Sequence, residues 1–186
     1  GPQKPNDGDL DLEDPGVVFD AFVQAAMDAL LRLREDVDRP GLQSFVDVLL
    51  TTNAVHIAAA RGAYGVGAYS FYGFSQVGKR AFMIDNLGTM REEQLSAIDD
   101  DDVLLVLTFD DYTPETIEIA RTAERRKRRI LVITDNELSP VAGLGEQTLY
   151  VKEARLGHFR SQVPALVLCQ SIIASLGRQI DRRRSR

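Results

Sequence analysis

Thr108, Asp110, Asp111 and Thr113 stand together between the apolar run Val103–Leu107 and the segment Pro114-Glu115-Thr116. Two hydroxyls and two carboxylates at this spacing suit a ligand held through oxygen, a metal ion, or a loop that is simply solvated. Hard cations want several oxygen ligands, and no second carboxylate cluster in the sequence converges on this stretch, so no metal is expected. Thr113 is a good helix N-cap, Pro114 fits the first helical position and Glu115 favours the first turn. A helix therefore starts here with unpaired N–H groups, and the loop before it is the first place to look for a site.

A second stretch with chemical potential is Gly65-Val66-Gly67-Ala68-Tyr69-Ser70, where the glycines permit close backbone approach and Ser70 suits a helix cap. With Asp85 twenty residues on, it has the outline of a dinucleotide fingerprint. The third glycine is missing, so a tight turn explains the glycines as well and no cofactor is expected. Glu153 and His158 are the candidates for a general base in the loop before the last helix, and Arg160 is the cation placed to meet an anion or to pair with Asp110 or Glu115. No residue stands out as catalytic.

These residues need elements to hold them. Val103 to Leu107 is a continuous β-branched-rich run of strand length, which reads as a strand covered on both faces. Arg61 to Val66, Arg80 to Ile84, Ile130 to Thr134 and Thr148 to Val151 supply four more strands. Apolar residues at helical spacing predict helices from Val17 to Arg34, Pro40 to about Ala60, Arg91 to Ile98, Thr116 to Lys127, and Phe159 to about Ile180. Phe71 to Val77 is short for a helix. His56 then falls on the second helix, and the Asp99 to Asp102 run reads as a solvated turn. Strands alternating with helices imply parallel pairing through right-handed crossovers, hence a three-layer α/β/α sandwich with a five-stranded parallel sheet.

The chain of 186 residues, 44% of them hydrophobic, is enough for one domain with a substantial core. Residues 17–182 are read as that domain, 183–186 as a basic tail, and 1–16 as a linker opening on Gly1-Pro2, a dipeptide typical of a cleaved tag. A net charge of -6 gives no electrostatic footprint for nucleic acid or an anionic membrane. The single cysteine, Cys169, excludes an internal disulfide and suits a reducing compartment. No run of consecutive apolar residues approaches a membrane span, so a cytoplasmic protein is expected. The wide apolar faces of the first and last helices are read as a subunit interface.

The order and spacing of Gly65-Val66-Gly67-Ala68, Leu107 to Thr116, Ile133-Thr134-Asp135-Asn136 with Ser139-Pro140, and Phe159-Arg160-Ser161 resemble the sugar isomerase (SIS) domain. In particular they are similar to the effector half of bacterial transcription regulators of the RpiR or MurR type, over roughly residues 17 to 179. The resemblance implies a flavodoxin-like sheet, a homodimer, and a phosphosugar cradled by the loops after the first and third strands. It implies DNA contact only through an N-terminal helix-turn-helix segment that these residues do not contain. The ligand-binding set it points to is Gly65, Gly67, Tyr69, Ser70, Thr108, Asp110, Asp111, Thr113 and Arg160.

The family places S-x-S-G-x-T where this chain has Thr108-Phe109-Asp110-Asp111-Tyr112-Thr113, so one serine becomes Asp110 and the glycine becomes Asp111. In the first loop Tyr69 takes the serine position, with Ser70 one residue late. A carboxylate ~4 Å from a phosphate costs about 1 kcal/mol in water and ~4 kcal/mol near a protein surface. The expectation is a ligand-sensing domain that prefers a neutral or amino-bearing sugar over a phosphorylated one. The alternatives are a sugar-phosphate isomerase and a domain that only dimerises.

Overall fold

The structure is a computed structural model that describes residues 11–186. Gly1-Pro2 and most of the linker thus lie outside the described residues. The helices are α1 (Pro15–Asp36), α2 (Arg39–Thr51), α3 (Tyr64–Gln76), α4 (Arg91–Ser96), α5 (Pro114–Arg125) and α6 (Val163–Arg184). The strands are β1 (Ala54–Ala59), β2 (Arg80–Met83), β3 (Val103–Leu107), β4 (Arg129–Thr134), β5 (Gln147–Tyr150), β6 (Ala154–Leu156) and β7 (Phe159–Ser161).

Local chemistry sets the helix starts. The Asp14 carboxylate accepts from the N–H groups of Gly16 and Val17, and Asp38 accepts from Gly41, each with a proline in the first turn that follows. Five strands pair in the order β2-β1-β3-β4-β5, every pair parallel. β1 and β3 are buried along their whole length; β3 is an unbroken apolar run, and β1 is apolar except for His56. On one face Val55, Ile57, Leu105 and Leu107 pack with Phe45 and Leu49 of α2 and Leu168, Ile172 and Leu176 of α6. On the other, Ala58, Leu104 and Val106 pack with Ile119 and Ala120 of α5. The result is the three-layer sandwich expected from the sequence, with a separate antiparallel hairpin, β6-β7, that follows β5 and precedes α6 in the chain.

The first strand is not where the sequence pattern placed it. The apolar spacing of the second helix runs on through Ala54, Ile57 and Ala58, but the helix stops at Thr51 and those residues form β1. Thr51-Thr52-Asn53, two β-branched residues and a turn former, is the break. Arg61 to Val66 is a 3₁₀ turn leading directly into α3, and Phe71 to Val77 is the second half of that 13-residue helix and its cap.

Two further expectations change with it. His56 lies buried on β1, its Nε2 2.9 Å from Asp102 and its ring stacked on Phe82. Asp102 is not part of a solvated turn; it is buried and also accepts from the N–H groups of Ala54 and Asp99. Burial works against its charge, but those bonds outweigh it and hold the carboxyl below the usual range. Lys79, also buried, donates to the Leu49 and Thr52 carbonyls at the end of α2, and burial brings its pKa down to about 8. α6 is long and apolar enough by length and composition to cross a membrane, yet Leu168, Cys169, Ile172, Ile173 and Leu176 are buried in the core. Its apolar residues recur within a helix, which a search for consecutive runs does not register.

Gly65 and Gly67 lie two residues apart in α3, on nearly opposite sides of the helix, and make a matched test of this packing. A Cβ on Gly67 would stand 2.7 Å from the Ala59 Cβ on β1, whereas one on Gly65 meets nothing within 4 Å. Helix propensity alone favours alanine at both positions by up to ~1 kcal/mol. Gly65→Ala should therefore stabilise the domain by about 0.5–1 kcal/mol, and Gly67→Ala should destabilise it by about 1–3 kcal/mol as the helix is pushed off the strand. Urea unfolding of both variants reads the two signs.

Candidate functional site

The strand order reverses at β1 and β3, whose following helices α3 and α5 lie on opposite faces of the sheet. That reversal leaves a crevice beyond the carboxyl ends of the two strands. A cavity of about 410 Å³ lies there, lined by Arg61 and Gly62 after β1 and by Thr108, Asp110, Asp111 and Thr113 after β3. Glu153, His158, Arg160 and Gln162, on and around the β6-β7 hairpin, form its third wall.

Of the residues singled out from the sequence, Thr108, Asp110, Asp111, Thr113 and Arg160 are brought together in this cavity. Gly65, Gly67, Tyr69 and Ser70 do not line it; all four lie inside α3. Ser70 is fully buried and its Oγ donates to the Val66 carbonyl at 2.8 Å, so it caps nothing, and Tyr69 is exposed. The register error at β1 explains the miss. With the first strand placed at residues 61–66 its loop falls on the glycines, whereas the loop after the true strand begins at Ala60-Arg61-Gly62. Arg61 escaped notice for that reason. Arg155 had only the weak signal of two arginines flanking Gly157, the hairpin glycine with φ of +57°.

Two loop residues at this crevice, Arg61 with φ of +51° and Asp111 with φ of +64°, sit in the left-handed region without being glycine. Such backbone is retained only where the surroundings enforce it, and it is common at ligand sites. Thr108 and Thr113 are buried, and their hydroxyls have no partner among the described residues. Thr113 occupies the N-cap position of α5, but its side chain makes no capping bond. Two hydroxyls and the free N–H groups of the first turn of α5 are thus available to a ligand.

The acidic loop does not stand alone. Arg155 Nη2 lies 2.9 Å from Asp110 Oδ2, and Arg160 Nη2 lies 2.8 Å from Asp111 Oδ2 while its Nη1 donates to the Asp110 carbonyl. The Arg155 hydrogen bond, then that from the Asp111 N–H, holds the Asp110 carboxyl below the ordinary carboxylate range. The expectation that these carboxylates would repel a phosphate left out Arg155 and gave the pairing of Arg160 with Asp110 only as an alternative; Arg160 in fact reaches both the Asp110 carbonyl and the Asp111 carboxylate. Each faces a guanidinium, and exposed pairs of this kind exchange partners at little cost.

Glu153 and Gln162 complete the site. The Glu153 side chain is nearly buried, 6% exposed, and burial raises its pKa even though Gln162 donates to it and Arg160 lies 3.8 Å away. The other end of the same amide, Gln162 Oε1, is buried and has no donor among the described residues. A buried acceptor without a donor costs about 1–3 kcal/mol, a penalty that a ligand hydroxyl would remove.

The SIS domain family pattern matches residues 49–175, and the chain belongs to that family. Among solved structures, the sugar isomerase domain of an RpiR transcription factor from Sphaerobacter thermophilus superposes with a TM-score of 0.78 at 16% identity, over 89% of this chain and 98% of that one. The Vibrio vulnificus NanR protein complexed with ManNAc-6P gives 0.79 at 23% identity, over 90% of this chain and 66% of NanR. An Escherichia coli protein in complex with A5P gives 0.75 at 15% identity, covering 92% and 94%. A comparison with curated protein sequences finds no match. At these identities the structures establish the fold.

The Arg155 pair has a measurable consequence. A depressed folded-state pKa at Asp110 contributes stability above the unfolded-state value, and this is lost as pH falls through the folded one. Arg155→Ala removes the largest cause of that depression and should bring the Asp110 carboxyl back up toward the ordinary range. Carboxyl-carbon NMR titration of wild type and variant follows it.

Proposed function

We propose that this domain is the metabolite-sensing half of a bacterial transcription regulator and that its ligand is a sugar phosphate. The observation that carries the reading is Gln162 Oε1, a buried acceptor awaiting a donor, in a cavity that also presents two unengaged threonine hydroxyls and a helix N-terminus. Sugar hydroxyls suit the first two and a phosphate suits the third. Arg155 and Arg160 are held by Asp110 and Asp111 until a ligand anion competes for them, so the acidic pair sets a threshold for binding and does not forbid it. The likeness of the fold to the RpiR transcription factor domain and to NanR with ManNAc-6P supports the same reading.

Regulation needs a second copy. α1 exposes Phe19, Val23, Met27 and Leu31 in a stripe spaced by four residues, which suits a homodimer built on this helix. Its other side carries Phe22, whose ring meets Phe159 of β7 edge-on at 6.4 Å between centroids. One helix thus touches both the proposed interface and the hairpin that bears the arginines. DNA would be reached through a separate segment, since these residues carry a net charge of -6.

A second reading, sugar-phosphate isomerisation, draws on Glu153, whose burial keeps it poised as a base beside the cavity. Turnover of a ketose or aldose phosphate that vanishes in Glu153→Gln would establish it in place of sensing. For the sensing reading, a thermal-shift screen of phosphorylated and unphosphorylated sugars should give a hit among the phosphates, since ligand at 100 times its Kd adds ~2.7 kcal/mol. Asp110→Ser with Asp111→Gly frees both arginines, and its affinity for that hit should rise at least about tenfold, ~1.4 kcal/mol, by calorimetry. Equal affinity in wild type and double variant would mean that the acidic pair does not compete with the ligand.

A further inference from the structure

β2 is the outer strand of the sheet, and the connection from it to β3 leaves it partly bare. In a parallel sheet that crossover is ordinarily a helix laid over the strands. Here it is a loop with a 3₁₀ turn at Leu87–Thr89, followed by an α4 of only six residues. Phe82, in the strand, therefore remains 43% exposed. A cavity of about 920 Å³ lies along this edge, with Phe82 and Met83 of β2 and Tyr64 and Phe71 of α3 among its walls. It shares no lining residue with the cleft beyond β1 and β3.

His56 lines this cavity while being only 3% exposed. Its ring is stacked on Phe82, and its Nε2 meets Asp102 Oδ2 at 2.9 Å. A carboxylate only accepts, so Nε2 carries the proton, and in the neutral ring Nδ1 keeps a free lone pair. Nδ1 has no partner among the described residues. It is not sealed from solvent as Arg128 Nε and Gln162 Oε1 are, so it opens on the cavity. A nearly buried acceptor thus lacks a donor beside aromatic walls. The charge around it is acidic, since Asp85, Asp99 and Asp102 line the cavity against Arg80. Asp102 is spent on His56, and Asp85 is held through Oδ1 by Leu87 and Gln94. The Asp99 side chain is exposed and has no partner among the described residues, while its N–H meets the same Asp102 oxygen as His56. Arg80 lies 5.7 Å from the centroid of the Phe82 ring and pairs with none of these acids.

We propose that this cavity is a second ligand site, for a flat aromatic molecule that carries a protonated amine. The ring lies against Phe82 and Phe71, a ring N–H donates to His56 Nδ1, and the ammonium rests beside Asp99. Aromatic faces attract cations and the acids outnumber the cation, so an amine is favoured over a neutral molecule and an acid is excluded. The site is independent of the sugar-phosphate reading, because none of its residues serves the other cleft.

Calorimetry on the 186-residue chain with tryptamine, 3-methylindole and indole-3-propionate tests this, since the three share a ring and its N–H and differ in charge. Tryptamine should bind at least about tenfold tighter than indole-3-propionate, with 3-methylindole between them. The nitrogen-15 NMR signal of His56 Nδ1 should move as tryptamine is added. Asp99→Asn should reduce the preference for amine over acid to about threefold or less, and Phe82→Ala should weaken tryptamine at least about fivefold. Both side chains are exposed, and a thermal unfolding midpoint verifies that each variant is folded. Equal affinity for amine and acid, a stationary Nδ1 signal, or binding of none of the three would overturn the site. So would a wild type that ignores tryptamine while Phe82→Ala loses self-association in sedimentation, which would make this edge a contact between copies of the chain.

Discussion

Everything at the candidate site depends on the parallel pairing of β1 with β3. Val55 through Ala59 run in register with Val103 through Leu107, so the two strands end at the same level and their loops emerge side by side. Because α3 and α5 depart to opposite faces, neither helix closes the gap between those loops. The backbone there must turn sharply, and it does so through left-handed residues at Arg61 and Asp111. Placing bulky charged side chains at such positions costs conformational energy that a structural loop would avoid by using glycine. The cleft is therefore a built feature of the sheet order, furnished with side chains that the fold itself does not need.

The hairpin β6-β7 gives that cleft its third wall and its cations. In sequence terms Arg155 and Arg160 are five positions apart across a tight turn at Gly157, and antiparallel pairing sets them directly opposite one another. Their partners Asp110 and Asp111 sit some 45 to 50 residues earlier on the loop after β3. The two charged pairs thus join the sheet to the segment that leads into α6. The same hairpin reaches α1 through Phe159 and Phe22. The proposed sensing role would need a change of partner at Arg155 to be passed to α1, and these contacts are the route it would take.

Much of this was legible in the chain. Val103–Leu107 reads as a central strand because nothing interrupts its apolar character, and the Thr113-Pro114-Glu115 signature fixes the start of α5 to the residue. Those two features locate half of the cleft. The other half was misplaced because Ala54, Ile57 and Ala58 continue a helical period by coincidence, and a short apolar stretch cannot reveal by periodicity alone whether it is helix or strand. Pairing across the fold was legible only in part. The sequence offered Arg160 as one possible partner of Asp110, but nothing in it marks Arg155 as the other cation facing the acidic pair, and Asp102 reads there as one of four solvated acids, not as the partner of His56. Non-local ion pairs leave no trace in local spacing.

The central claim is that Asp110 and Asp111 occupy the arginines until a ligand anion displaces them. Its most direct test is the titration of the Asp110 carboxyl, followed by NMR with and without a saturating phosphosugar. Asp110 is held low because Arg155 bonds to it. If the ligand takes that arginine and brings a negative charge close by, the Asp110 pKa must rise on binding, and the pH at which half of the carboxyl is protonated must move upward. An Asp110 pKa that stays where it is, or falls further, would mean that the carboxylate keeps its arginine while the ligand is bound, and the exchange would be disproved.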